Sequence, residues 1–407
     1  MDRLTARPGE VDTPAIEQRD GTWHIRALPL VREVLRLSGD TLQAGFAAEV
    51  VRETSPTGAL PVLFADGADH RDQRSAIARY FAPVTVTRRY ETLMIERAER
   101  QLARLDGGRE VDLADLTLHF SAQVAAQVIG LAESDQERMA HRLVGFFDQP
   151  EGMLAAPPQG LARVRAFVRS LPSVARMYSF YLRDVRPAVR ARRAAPRQDV
   201  ISHLVEQGRT GSQILMECLT YGAAGVVTTR EFLQIATWHL LDRPALRHRF
   251  LVGSAEERSA ILHELLRLEP VVGHLYRRTT EELTLTHDGV EHRIPAGARL
   301  DLSVRAANAD PEQVAPDPLR LCPGRDLPSG IRPEVMSFGD RPHRCPGNAV
   351  AMTESEIFLT RLLARDIERL GEPTIGWEDV IAGYAVGGLR LRDRGGRWSP
   401  EVESDPR

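Results

Sequence analysis

The stretch from Ser212 to Leu241 constrains the fold more than any other part of the chain. It reads SQILMECLTYGAAGVVTTREFLQIATWHLL and is apolar on every side of a helical projection. At about 1.5 Å per residue such a helix is about 45 Å long, the width of a whole domain. A helix apolar all round must be sheathed by protein. The charges at Glu217, Arg230 and Glu231 leave no run near the ~18 uncharged apolar residues that a bilayer demands. The expectation is a buried central helix wrapped by others. Gly222 and Gly225 are expected to interrupt it, for a packing or functional reason.

The rest of the chain supplies such wrapping. Helical periodicity marks 88–105, stopped by Gly107-Gly108, and a more apolar helix from Leu113 to Gly130. A further helix is expected from Ser173 to Arg193, kinked or divided at Pro187. Before it, PEGMLAAPPQG at 150–160 reads as a loop of the kind that serves as a lid. After Pro270 the period changes. Residues 283–304 alternate and carry DG and PAG turns, which predicts a small β region with hairpins. Residues 310–333 are irregular, 348–370 helical, and 383–392 a short strand pair. With no internal repeat and no evident linker, the reading is a mainly α single domain over 1–407 with a minor β part at 271–304 and 383–392.

Composition removes other classes. The chain has 407 residues, 43% hydrophobic, with 53 basic residues against 56 acidic. A formal net charge of −3 gives no electrostatic footprint for nucleic acid or a membrane surface. Every basic residue is arginine. Three cysteines, Cys218, Cys322 and Cys345, are too few for a disulfide framework and fit a reducing compartment. The first residues are charged and lack the apolar core of a signal peptide, so a cytoplasmic enzyme is expected.

One loop carries chemistry. In SFGDRPHRCPGNAVAMTESE, Cys345 follows a Gly-, Pro- and Arg-rich loop and precedes a helix. A helix N-terminus favours a thiolate there. Pro346 suits a first helical position, and Gly347 lets a flat ligand approach the backbone. A cysteine so placed fits an axial ligand to haem iron. The loop resembles the haem-binding signature of the cytochrome P450 family, Phe-Gly-x-Gly-x-His-x-Cys-x-Gly. Phe338, Gly339, His343, Cys345 and Gly347 match it, and Arg341 stands at the second glycine.

The resemblance extends along the chain. In HELLRLEP, Glu264 and Arg267 match the family's Glu-x-x-Arg pair, with Arg325 where its third partner is expected. GADHRDQRSAIARYFAP resembles the segment whose His and Arg bind haem propionates, here His70 and Arg74. Arg277 and His343 match the other two propionate contacts, with Arg278 able to exchange roles with Arg277. On the long helix, Ala224 and Gly225 match the family's segment over the distal haem face. Thr228 falls on its oxygen-activating threonine, and Val227 replaces the acid beside it. Glu231 is a candidate substitute for that acid.

The resemblance implies a P450 fold and a haem b cofactor ligated by Cys345. It implies a monooxygenase acting on a small hydrophobic substrate, with electrons from a ferredoxin and its reductase. An arginine set comprising Arg71, Arg74, Arg79 and Arg344 would receive an acidic ferredoxin. Two alternatives stand beside this: a peroxide-driven or atypical haem-thiolate enzyme, and a haem-binding protein without turnover. The substrate roof is expected from the loop 53–64, Phe146, Phe147, Met153, Leu154, and 178–181. Val271–Leu275 and Tyr384–Val386 would close it from the β side.

Overall fold

The computed structural model describes residues 2–6, 13–37, 39–45, 48–54, 60–144, 175–314, 317–378 and 383–399. Its axis is the helix Gly211–Leu241, 31 residues long. Thr210 opens it with a capping box: the Thr210 hydroxyl accepts from the Gln213 amide, and the Gln213 side chain accepts from the Thr210 amide at 2.9 Å. The expected interruption at Gly222 and Gly225 does not occur; the helix is continuous through both. Packing explains Gly222. A Cβ there would lie 3.2 Å from Leu143, so the glycine lets helix Gln136–Val144 approach the central helix.

Helix Leu113–Ile129 lies along the same axis. Asp112 caps it by accepting from the Ala114 amide at 2.8 Å, and Gly130 ends it at φ 104°. Phe120 on this helix meets Phe358 of helix Asn348–Leu363 with ring centroids 5.0 Å apart. The helix expected over 88–105 is three pieces: a π turn Val86–Tyr90, an α-helix Glu91–Leu102 and a 3-10 turn Ala103–Leu105. The helical run continues without a break over 175–194, and Pro187 does not divide it but follows closely on a π turn, Tyr181–Val185. The loop at 150–160 lies outside the described residues.

The β part is larger than the sequence suggests. It comprises β1 (Ile16–Arg19), β2 (Thr22–Ile25), β3 (Thr41–Ala44), β4 (Glu110–Asp112), β5 (His274–Thr279), β6 (Leu283–His287), β7 (Val290–Ile294), β8 (Arg299–Ser303), β9 (Arg365–Leu370), β10 (Thr374–Glu378), β11 (Gly383–Gly387) and β12 (Arg390–Arg397). The main sheet runs β1-β2-β8-β5-β3, so three N-terminal strands join the expected region. Two further expectations are corrected. The helix of 348–370 ends at Leu363, and β9 follows it. The strands of 383–392 do not pair with each other: β11 pairs with β10, and β12 lies between β4 and β9.

Candidate functional site

The loop before helix Asn348–Leu363 turns on two left-handed residues, Gly339 at φ 70° and Arg341 at φ 53°. Arg341 occupies the position that the motif gives to glycine, and its backbone adopts the conformation glycine favours. The Cys345 amide donates to the Phe338 carbonyl at 2.8 Å and closes the loop. The Cys345 side chain then reaches the wall of a cavity of about 500 Å³. Burial pushes its thiol up, while the Gly347 amide and the Arg74 and Arg344 guanidiniums oppose that shift. A Cβ on Gly347 would touch the Cys345 Sγ at 3.8 Å, so this glycine keeps the backbone beside the sulfur open.

The central helix forms another wall of that cavity with Ala224, Gly225, Thr228 and Thr229. The Thr228 hydroxyl donates to the Ala224 carbonyl at 2.5 Å. Val227 is buried in the apolar core and does not line the cavity. Glu231 does not line it either. Its carboxylate is buried, paired with Arg230 and accepting from the Val386 amide at 2.7 Å, so it is a structural tie. Two acids do line the cavity, Asp340 in the cysteine loop and Glu354 on helix Asn348–Leu363, the second of which sequence reasoning missed. The Thr229 hydroxyl donates to Glu354 Oε1 at 3.0 Å, and Oε2 is buried without a partner. Burial pushes the Glu354 carboxyl well above its usual range, and the Thr229 hydroxyl opposes that shift.

The four expected propionate contacts gather at one edge. His343 Nε2 lies 3.2 Å and Arg277 Nη1 3.5 Å from Asp66 Oδ1, and the His70 and His343 rings stack at 3.9 Å. Arg74 donates to the Arg344 carbonyl at 2.6 Å, nearer the cysteine. Burial drives His70 down to about 4 and Arg277 down to about 10. Of the two arginines, Arg277 lines the cavity, and Arg278 donates to the Gly297 carbonyl at 2.9 Å. Asp66, the acid at the centre of this group, was not anticipated. Its place just ahead of helix Gly67–Phe81 was the available signal.

Glu264, Arg267 and Arg325 also meet. Arg267 grips Glu264 bidentately at 2.7 and 2.8 Å, and Arg325 Nη2 lies 3.3 Å from the same carboxylate. The Cys322 amide donates to it at 2.9 Å. These groups brace the chain leading to the cysteine loop and stand apart from the cavity.

The roof is only partly as expected. Val51, Leu63, Phe64, Phe81, Val271, Val272 and Leu275 line the cavity. Phe146, Phe147, Met153 and Leu154 lie outside the described residues. Tyr178 is exposed, and Tyr384 is fully buried elsewhere, donating to the Glu269 carbonyl at 3.1 Å. His274, on the sheet, binds Asp301 at 2.7 Å.

These residues suit a flat amphipathic cofactor bearing carboxylates. The walls are apolar, a thiol stands on one, and Arg277, which lines the cavity, has a buried guanidinium nitrogen, Nε, without an acceptor. A haem would bring thiolate-accepting iron to the first and carboxylates to the second.

Comparison with known proteins agrees. Residues 259–365 match the family model described as Cytochrome P450. Cytochrome P450 130 of Mycobacterium tuberculosis is 28% identical over 333 residues, 78% of this chain and 74% of that protein. The erythromycin C-12 hydroxylase of Saccharopolyspora erythraea is 27% identical over 395 residues, 91% of this chain and 89% of that one. A solved structure of a P450 EryK mutant with erythromycin B superposes with a TM-score of 0.72 at 24% identity, covering 94% of this chain and 93% of that one.

Proposed function

This chain belongs to the cytochrome P450 family and is a haem-dependent monooxygenase, and we propose that Cys345 is the thiolate that ligates its iron. The observation that carries the assignment is that Cys345 lines an apolar cavity together with Ala224, Gly225 and Thr228 of the central helix. Cys218 is buried in a separate apolar cluster and Cys322 is exposed, so neither competes. When bound, haem supplies the oxygen-activating redox chemistry that no side chain here has.

The side chains then divide the remaining work. Arg277, His343, His70 and Arg74 hold the propionates, with Asp66 exchanging part of its pairing for them. Ala224 and Gly225 keep the helix surface low, so a flat cofactor and a substrate fit beneath it. Phe338 and Gly347 pack beside the sulfur. Thr228 turns its hydroxyl from the Ala224 carbonyl toward the cavity, where it is a donor for oxygen chemistry. With Val227 in the core, the proton reserve is Glu354, passing through the Thr229 hydroxyl. The apolar walls select a small hydrophobic molecule.

The finer role follows from the same reading. Electrons come from a ferredoxin and its reductase; exposed Arg71 and Arg79 are the steering charges, because Arg344 is already paired with Glu334 at 2.8 Å. The likeness to the erythromycin hydroxylase supports secondary or catabolic metabolism, and three free cysteines support a cytoplasmic setting. The test is the reduced carbon monoxide spectrum. Cys345→Ser loses the band of a thiolate-ligated haem, while Cys218→Ser and Cys322→Ser retain it. A thiolate band persisting in Cys345→Ser would overturn the assignment.

A further inference from the structure

Away from the cavity, three side chains that could bind a metal converge where two helices meet. Asp115 and His119 are one turn apart on helix Leu113–Ile129, and His141 comes from helix Gln136–Val144. One ligand atom from each lies within 4.8 Å of the others. We propose that this triad is a binding site for a divalent transition-metal ion, zinc by its ligand set, that clips the two helices together.

The geometry already favours two of the three bonds. Asp115 Oδ1 and His119 Nε2 are 3.3 Å apart. Ligands each about 2.0–2.1 Å from a tetrahedral ion stand about 3.3 Å from one another. The His119 and His141 rings are 5.1 Å apart and nearly perpendicular, at 85°. His141 is exposed, so a rotation of its side chain closes the remaining gap.

The surroundings are those of a ligand set. Asp115 gives its other oxygen to Arg104, which fixes the carboxylate and leaves Oδ1 facing His119. His119 is only 6% exposed and its Nδ1 has no hydrogen-bond partner, so its polar contact is directed through Nε2. The exposed His141 and half-exposed Asp115 provide the entry path, and a water completes the coordination. Imidazole with carboxylate selects zinc over magnesium or calcium.

A clip here acts at a distance. Leu143, two residues beyond His141, is the side chain that packs against Gly222 of the central helix. Fixing helix Gln136–Val144 therefore steadies a neighbour of the helix that walls the cavity.

The test uses the haem-loaded protein, stripped of adventitious metal with a chelator that leaves haem iron in place. Zinc is titrated in competition with a chromophoric chelator, and backbone hydrogen exchange is followed over 136–144. One equivalent should bind, slow exchange in that helix and raise Tm. His141→Ala removes an exposed ligand without disturbing the core and should weaken binding by about tenfold or more. Asp115→Asn should weaken it as well. No zinc bound at about 100 µM, or equal binding by His141→Ala and the parent, would overturn the proposal.

Discussion

Glu354 shows how little a residue's type says before its surroundings are known. In the sequence it is one acid in TESE; in the fold it is a buried carboxyl on the cavity wall with Thr229 as its donor and its pKa pushed up by burial. Its role as proton reserve makes a definite prediction. Glu354→Gln preserves the volume and the acceptor for Thr229 but has no proton to lose. Substrate oxidation should fall about tenfold or more, and peroxide released per NADH consumed should rise, with the thiolate band intact. Unchanged coupling would remove Glu354 from the proton path. The cysteine loop, by contrast, was legible because its meaning lies in adjacent residues. Even there Arg341 hid its conformation: a bulky residue at φ 53° stands where spacing calls for glycine. Asp66 was illegible for the opposite reason, since its partners come from positions as distant as Arg277 and His343.

At the scale of elements, periodicity located the central helix and failed where two periods coincide. RDIERL at 365–370 continues a helical pattern, yet it is β9 because β12 arrives from 390–397 to pair with it. The three N-terminal strands are four residues each, too short to carry a pattern of their own. The central helix also makes a tie that no pattern reveals. Glu217, 7% exposed, accepts from the Val62 amide at 3.1 Å and so holds the segment before helix Gly67–Phe81. Burial pushes Glu217 up from 4.5 to about 7. A carboxyl raised in the folded state stabilises fully below its unfolded pKa. That contribution is lost as pH rises from about 4.5 to about 7, and amounts to at most about 3 kcal/mol. His70, lowered to about 4, acts in the opposite sense, losing stability as pH falls below 6.5. The comparison of variants therefore isolates Glu217. Urea unfolding at pH 5 and pH 8 should show the parent losing stability on the alkaline side relative to Glu217→Gln. Parallel pH profiles for the two proteins would show that this carboxyl titrates normally.

At the scale of the molecule, residues 2–6 act as a strap across elements far apart in sequence, and Glu269 is the buckle. Its fully buried carboxylate accepts from the amides of Leu4 and Thr5, from the Thr5 hydroxyl at 2.5 Å, and pairs with His239 at 3.0 Å near the end of the central helix. Its own carbonyl accepts from Tyr384. Arg305 donates to the Thr5 carbonyl at 2.7 Å, Arg3 to the Leu268 carbonyl at 2.7 Å, and Asp2 receives the Leu321 amide at 3.0 Å. One carboxylate thus joins the N-terminal strap, the central helix and the chain leaving helix Ala255–Leu268. Removing it strands several donors at once, because neither His239 nor the strap amides can turn to water without opening the core. Glu269→Ala should cost about 3–5 kcal/mol. Glu269→Gln, which keeps an acceptor oxygen, should cost less. The loss should also be spatially specific: hydrogen exchange at Leu4 and Thr5 should accelerate before that of the central helix. Should Glu269→Ala unfold at the parent's urea midpoint, or should the two segments exchange in step, the strap would be decoration and the fold would close without it.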